Sequence, residues 1–74
     1  MEIKLRNIIA MIAETKPDFG GGAHLRDDLR VDSVRAMEIA FEIERAFNVS
    51  VPLERFGTVR TFDEMVRFVE ELHP

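Results

Sequence analysis

Residues 25–52 read L-R-D-D-L-R-V-D-S-V-R-A-M-E-I-A-F-E-I-E-R-A-F-N-V-S-V-P, and the spacing of apolar side chains within them decides the fold. From Ser33 onward these side chains recur every three or four positions, which predicts a helix from about Ser33 to Phe47. Asp32 and Ser33 both suit a helix N-terminus, because a short side-chain oxygen can accept from a first-turn N–H group. Asn48 is a tolerable stop, since asparagine enters the left-handed conformation at low cost. Laid out at about 100° per residue from Ile39, the residues Ala36, Ile39, Ala40, Ile43 and Phe47 fall within an arc of about 100°. That is the stripe a bundle helix buries.

Val34, Met37 and Phe41 gather on nearly the opposite side, within an arc of about 60°. Burying a valine, methionine or phenylalanine contributes about 1.5–3 kcal/mol, so folding alone does not explain three left outside. Glu38, Glu44 and Arg45 border them, and an apolar strip with a charged rim has the composition of a protein–protein contact. The competing expectation is that Leu53 and Phe56, from the next segment, fold over part of the strip. Charge reversal at Glu38 or Glu44 is expected to leave the fold intact.

Outward from this helix the same period returns twice. Leu5, Ile8, Ile9 and Ile12 form one face of a first helix, which Pro17 ends. Phe62, Met65, Val66, Val69 and Leu72 form the face of a last helix, and T-F-D-E from Thr61 reads as a capping box with Glu64. V-P-L-E-R-F-G, residues 51–57, has the proline-first, glycine-after order of a single short helical turn. A long connection joins the first two helices and carries Gly20, Gly21 and Gly22, which are expected to be mobile. No P-loop lysine or spacing accompanies them. Leu25, Leu29 and Val31 are expected to pin the end of this connection onto the helices. The fold class is therefore all-α: a small four-helix bundle, three main helices plus one short helix, with a long first loop.

A single domain of 74 residues buries only about 60% of the surface its unfolded chain exposes, which disfavours an enzyme with a shaped pocket. There is no cysteine, which excludes a disulfide framework, a thiol nucleophile and a thiolate metal site. Acidic residues outnumber basic ones 14 to 10, for a net charge of −4. Nucleic-acid binding is disfavoured, and basic partner surfaces are the natural complement. No apolar run approaches the roughly 20 residues that span a bilayer, so no membrane role is expected. The opening M-E-I-K-L-R-N lacks the order of a signal peptide. A cytoplasmic monomer is the expectation.

Ser33 is the residue whose position calls for chemistry. As a nucleophile it would need a general base held by a third group. The two histidines are His24, in the glycine-rich loop, and His73, beside the C-terminal residue. No G-x-S-x-G elbow exists, the carboxylates are scattered, and no H-x-x-x-H pair occurs. No catalytic or metal-ligating set emerges. On its own, Asp32-Ser33 is no more than a helix cap.

Its surroundings change that reading. The stretch quoted above resembles the acyl carrier protein family, whose members carry D-S-L at the head of the second helix. Asp32, Ser33 and Val34 match that triplet with valine for leucine. Glu38, Ile39, Ile43, Glu44, Phe47, Val51 and Pro52 fall at the family spacing without a gap. Asp28-Leu29 resembles the aspartate-leucine that precedes the serine, and T-F-D-E-M-V-R-F-V resembles the last helix. The resemblance is continuous from Leu25 to Leu72, while the first helix matches in pattern only.

The resemblance implies one carrier domain over residues 1–74, with no catalysis of its own. It implies a 4′-phosphopantetheine arm, transferred from coenzyme A by a magnesium-dependent phosphopantetheinyl transferase and attached to Ser33, with Asp32 and Val34 completing the site. Acyl groups would ride on its thiol in fatty-acid, polyketide or specialised acyl synthesis. Synthases, ligases and transferases would load and process them, docking on Val34, Met37, Glu38, Phe41 and Glu44. Ile39, Ile43, Phe47, Val51, Phe62 and Met65 would line a shelter for the acyl chain. Arg30 and Arg35 flank the serine and are expected to meet the phosphate. Three departures stand out: Arg35 and Arg45 replace frequent acids, and Arg30 replaces a common glycine. The predicted second helix then carries a net charge of only −1, which points away from the general fatty-acid enzymes and towards a dedicated pathway. An aminoacyl, peptidyl or D-alanyl carrier remains open, as does a helical adaptor that never carries an arm.

Overall fold

Four stretches of the chain carry the helical period or the turn signals, and all four are helical in the computed structural model, which describes residues 1–72. They are α1 (Glu2–Ala13), α2 (Ser33–Phe47), α3 (Leu53–Phe56) and α4 (Phe62–Leu72). Among the described residues there is no strand, only an isolated bridge between His24 and Thr61. The helices α1, α2 and α4 bury their apolar stripes against one another, and Leu5, Ile9, Ile39, Ile43, Phe62, Met65 and Val69 are fully enclosed. Full burial of side chains of this size stabilises by about 1.5–3 kcal/mol each. Phe68, which lies off the expected face of α4, is buried too and tilts against Phe56 with ring centroids 6.1 Å apart.

The helix ends differ in detail from the sequence reading. Pro17 does not stop α1. The helix closes at Glu14, whose left-handed backbone (φ 57°) lets the Thr15 N–H reach the Ala10 carbonyl at 2.9 Å. Pro52 sits one position before α3 as its N-cap. At α4, the Thr61 hydroxyl accepts from the Glu64 N–H at 3.2 Å, but the Glu64 carboxylate reaches back to the N–H of Arg60, not that of Thr61. His73 lies outside the described residues.

The long first connection is tied down at both ends. The Arg6 guanidinium donates to the carbonyls of Pro17 and Phe19. It lies over the rings of Phe19 and Phe62, 4.8 and 4.5 Å from their centroids, where the ring quadrupole attracts a cation. Further along, Leu25, Leu29 and Val31 are buried as expected. Of the three glycines, Gly21 is the one that a neighbour approaches closely. None has a positive φ, but a Cβ on Gly21 would stand 2.4 Å from an Asp63 carboxylate oxygen, and the Asp63 N–H donates to the Gly21 carbonyl at 2.9 Å. Glycine lets the loop backbone lie against the head of α4. The Phe62 N–H to the Ala23 carbonyl, and the Leu25 N–H to the Arg60 carbonyl, continue that seam. It holds the end of the loop beside the start of α2.

Candidate functional site

The head of α2 is built by Asp32. Its backbone is extended (φ −85°, ψ −174°), and its Oδ1 accepts from the Arg35 N–H at 2.9 Å. Asp32 is therefore the cap, which leaves the Ser33 hydroxyl without a structural task. Ser33 is exposed, and the N–H groups of Ser33 and Val34 bond no group among the described residues. An exposed hydroxyl beside open N–H groups, at the positive end of a 15-residue helix, is a setting that favours an attached phosphate. The residues present thus fit a phosphodiester on the Ser33 oxygen.

Ser33 also borders a cleft of about 430 Å³ between the end of the first loop, α2, and the segment from α3 to α4. Of the side chains expected to shelter an acyl chain, Ile39 and Met65 line it. Ile43, Val51 and Phe62 lie in the closed core, and Phe47 packs half-buried against it. Ala36, on the same stripe of α2 as Ile39, lines the cleft too, together with Leu25, Val31, Phe56 and Val59 from segments that the helical period alone does not bring together.

Arg35 does not face the serine. Its guanidinium pairs with the Glu14 carboxylate at 2.7 Å and reaches the Ala13 carbonyl at 3.4 Å, at the C-terminal end of α1. The expectation that it meets a phosphate on Ser33 is corrected by that geometry, since a cation at a helix C-terminus is already well placed. Arg30 is exposed and adopts φ 57°.

The outward strip of α2 stays open. Val34 is 68% exposed, Phe41 58% and Met37 39%. Leu53 remains exposed and Phe56 turns inward, so α3 does not cover it. Exposed Met11 of α1 shares with Phe41 a shallow groove that is otherwise lined mainly by charged side chains, Glu14, Arg35, Glu38, Glu42 and Arg45. The rim acids are not equivalent. Glu38 is exposed and bonds nothing among the described residues, and Glu42 pairs with Arg45 at 3.5 Å. Glu44 is half-buried, and its carboxylate accepts from the Val51 N–H at 2.8 Å. Glu44 ties α2 to the approach of α3, so the expectation that its charge can be reversed without cost to the fold is corrected.

Comparison with known proteins agrees with this geometry. Residues 4–69 match the family described as "Phosphopantetheine attachment site". The chain is 36% identical over 50 residues to a probable acyl carrier protein of Caulobacter vibrioides, covering 68% of this chain and 58% of that protein. It is 37% identical over 54 residues to the acyl carrier protein AcpXL of Brucella melitensis, covering 72% of this chain and 58% of that protein. It is also 35% identical over 68 residues, 90% of this chain, to a stretch making up 3% of the non-reducing polyketide synthase pkiA of Emericella nidulans. The chain thus spans less than two thirds of the length of these relatives.

Proposed function

The chain belongs to the acyl carrier protein family, whose attachment domain carries a covalently bound 4′-phosphopantetheine, and we propose that it is an acyl carrier with Ser33 as the point of attachment. The observation that supports this is the division of labour at the head of α2: Asp32 caps the helix, and Ser33 keeps an exposed hydroxyl beside two open N–H groups. The serine oxygen would attack the pantetheine-bearing phosphorus of coenzyme A, the pyrophosphate P–O bond would break to release adenosine 3′,5′-bisphosphate, and the hydroxyl proton would pass to a base of the transferase. The chain itself needs no base. Buried Val31 anchors the backbone just before Asp32 and so fixes where the serine stands. When bound, the arm supplies a terminal thiol on which acyl groups ride as thioesters.

The chain acts as a substrate of its partners and catalyses nothing alone. Residues 1–74 form one carrier domain that works as a cytoplasmic monomer. The transferase and the acyl-processing synthases, ligases and transferases dock on Val34, Met37 and Phe41, with Glu38 meeting a basic surface; Glu44 shapes that face from its edge. The pathway is a specialised one, because the three carboxylates of α2 are offset by Arg35 and Arg45, a weak attraction for strongly basic general enzymes. The test is incubation with coenzyme A, magnesium and a broad-specificity transferase, followed by intact mass measurement. One arm is expected on the wild-type chain and none on Ser33→Ala; addition to the alanine variant contradicts the assignment.

A further inference from the structure

The cleft beside Ser33 has an apolar floor and a basic rim. Leu25, Ile39, Phe56 and Met65 line it and are buried. Arg26 and Arg60 also line it, are exposed, and have side chains that bond or pair with nothing among the described residues. Elsewhere on this acidic chain Arg6, Arg35, Arg45 and Arg55 are each paired with a carboxylate, and Arg30 and Arg67, also without a side-chain partner among the described residues, do not line the cleft. Of the acids near the cleft, Asp27 lies 3.6 Å from the His24 Nδ1, while Asp28, Glu64 and Asp32, the last itself lining the cleft, are turned to backbone groups. Asp28 accepts from the His24 N–H at 2.7 Å, Glu64 from the Arg60 N–H at 2.9 Å and Asp32 from the Arg35 N–H at 2.9 Å. Two guanidinium groups are therefore left beside an apolar cleft at the serine.

We propose that Arg26 and Arg60 form an anion-reading rim for an oxyanion tethered at Ser33, either a carboxylate borne by the acyl cargo or the phosphodiester of the arm. The proposal rests on Ser33 being the attachment point. A planar guanidinium pairs bidentately with carboxylate and phosphate alike, and next to an apolar floor such a pair is screened less than on open surface. A plain alkyl chain uses the floor and leaves both guanidiniums in water. A chain that also bears a carboxylate uses floor and rim together, so the rim selects the class of cargo the cleft holds best.

The chain is loaded from coenzyme A, hexanoyl-coenzyme A and adipoyl-coenzyme A, the last two differing by one terminal carboxylate. Intact mass, the arginine Nε–Hε resonances, the phosphorus resonance of the arm and the thermal midpoint are followed. With a cargo carboxylate as the anion, the adipoyl form shifts the resonances of Arg26 and Arg60. It also melts about 2–4 °C above the hexanoyl form, as a partly exposed ion pair does in a domain this small. The difference disappears in Arg26→Gln/Arg60→Gln and survives in Arg67→Gln, whose arginine stands on α4 outside the cleft. If the same resonances already shift with the bare arm, and its phosphorus resonance moves in the double variant, the phosphodiester is the anion. Loading at Ser33 with no arginine response to any cargo overturns the rim and leaves the carrier reading intact. No loading at all overturns both.

Discussion

Arg30 stands three residues before Ser33 in a left-handed backbone conformation, φ 57°. A side chain there costs about 1–2 kcal/mol relative to the right-handed region, because Cβ crowds the following carbonyl oxygen. Glycine escapes that crowding but loses about 0.5–1 kcal/mol more chain entropy on folding. The difference favours Arg30→Gly by about 0.5–1 kcal/mol. In a domain of this size that raises the thermal midpoint by about 2–8 °C. The side chain is exposed and bonds nothing among the described residues, so its removal forfeits no contact. Thermal unfolding followed by circular dichroism, with wild type, Arg30→Gly and Arg30→Ala side by side, tests the reasoning. The alanine variant keeps the Cβ and removes the charge, so it should melt near wild type. If glycine is no more stable than alanine, backbone strain at this position is refuted.

Other outcomes follow from the same geometry. Asp32→Ala should cost about 1 kcal/mol in urea unfolding, since it leaves the Arg35 N–H unpaired, whereas Ser33→Ala should cost less because the cap stays. Glu44→Lys should cost about 1–3 kcal/mol through the stranded Val51 N–H, while Glu38→Lys leaves the unfolding midpoint unchanged and weakens transfer to partner enzymes. Arg35→Gln should lower stability by less than about 1 kcal/mol and leave the salt dependence of loading at Ser33 as it is, because its partner is Glu14. Ile39→Ala, which empties a fully enclosed site, should cost about 2–5 kcal/mol in the same urea assay.

Much of the fold is legible in the sequence because helix period and caps are local. The bounds of α2, its cap at Asp32 and its stop at Asn48 all follow from residues within one turn. The open strip of Val34, Met37 and Phe41 follows from the same wheel. What is not legible depends on residues distant in the chain. Nothing local tells Arg35 to turn towards Glu14, 21 positions away, or Arg6 to lodge between Phe19 and Phe62. A rim glutamate and a structural one look identical in sequence, and only the position of Val51 separates Glu44 from Glu38. The cleft is the least local feature of all. Its walls come from a loop, a short helix and two long helices, and no periodicity links His24 and Arg26 to Val59 and Arg60.

Site mapping tests most directly the proposal that Ser33, freed from capping by Asp32, is where the arm attaches. The chain has two serines, Ser33 and Ser50, and both are exposed. Ser50 lies between α2 and α3, outside any helix N-terminus, so it serves as an internal control. After loading from coenzyme A, fragmentation of the intact chain locates the added group. One phosphopantetheine per chain, on Ser33 alone, is the expected result. An arm on Ser50 or any other hydroxyl, or an unmodified chain under conditions that load other carriers fully, would contradict it.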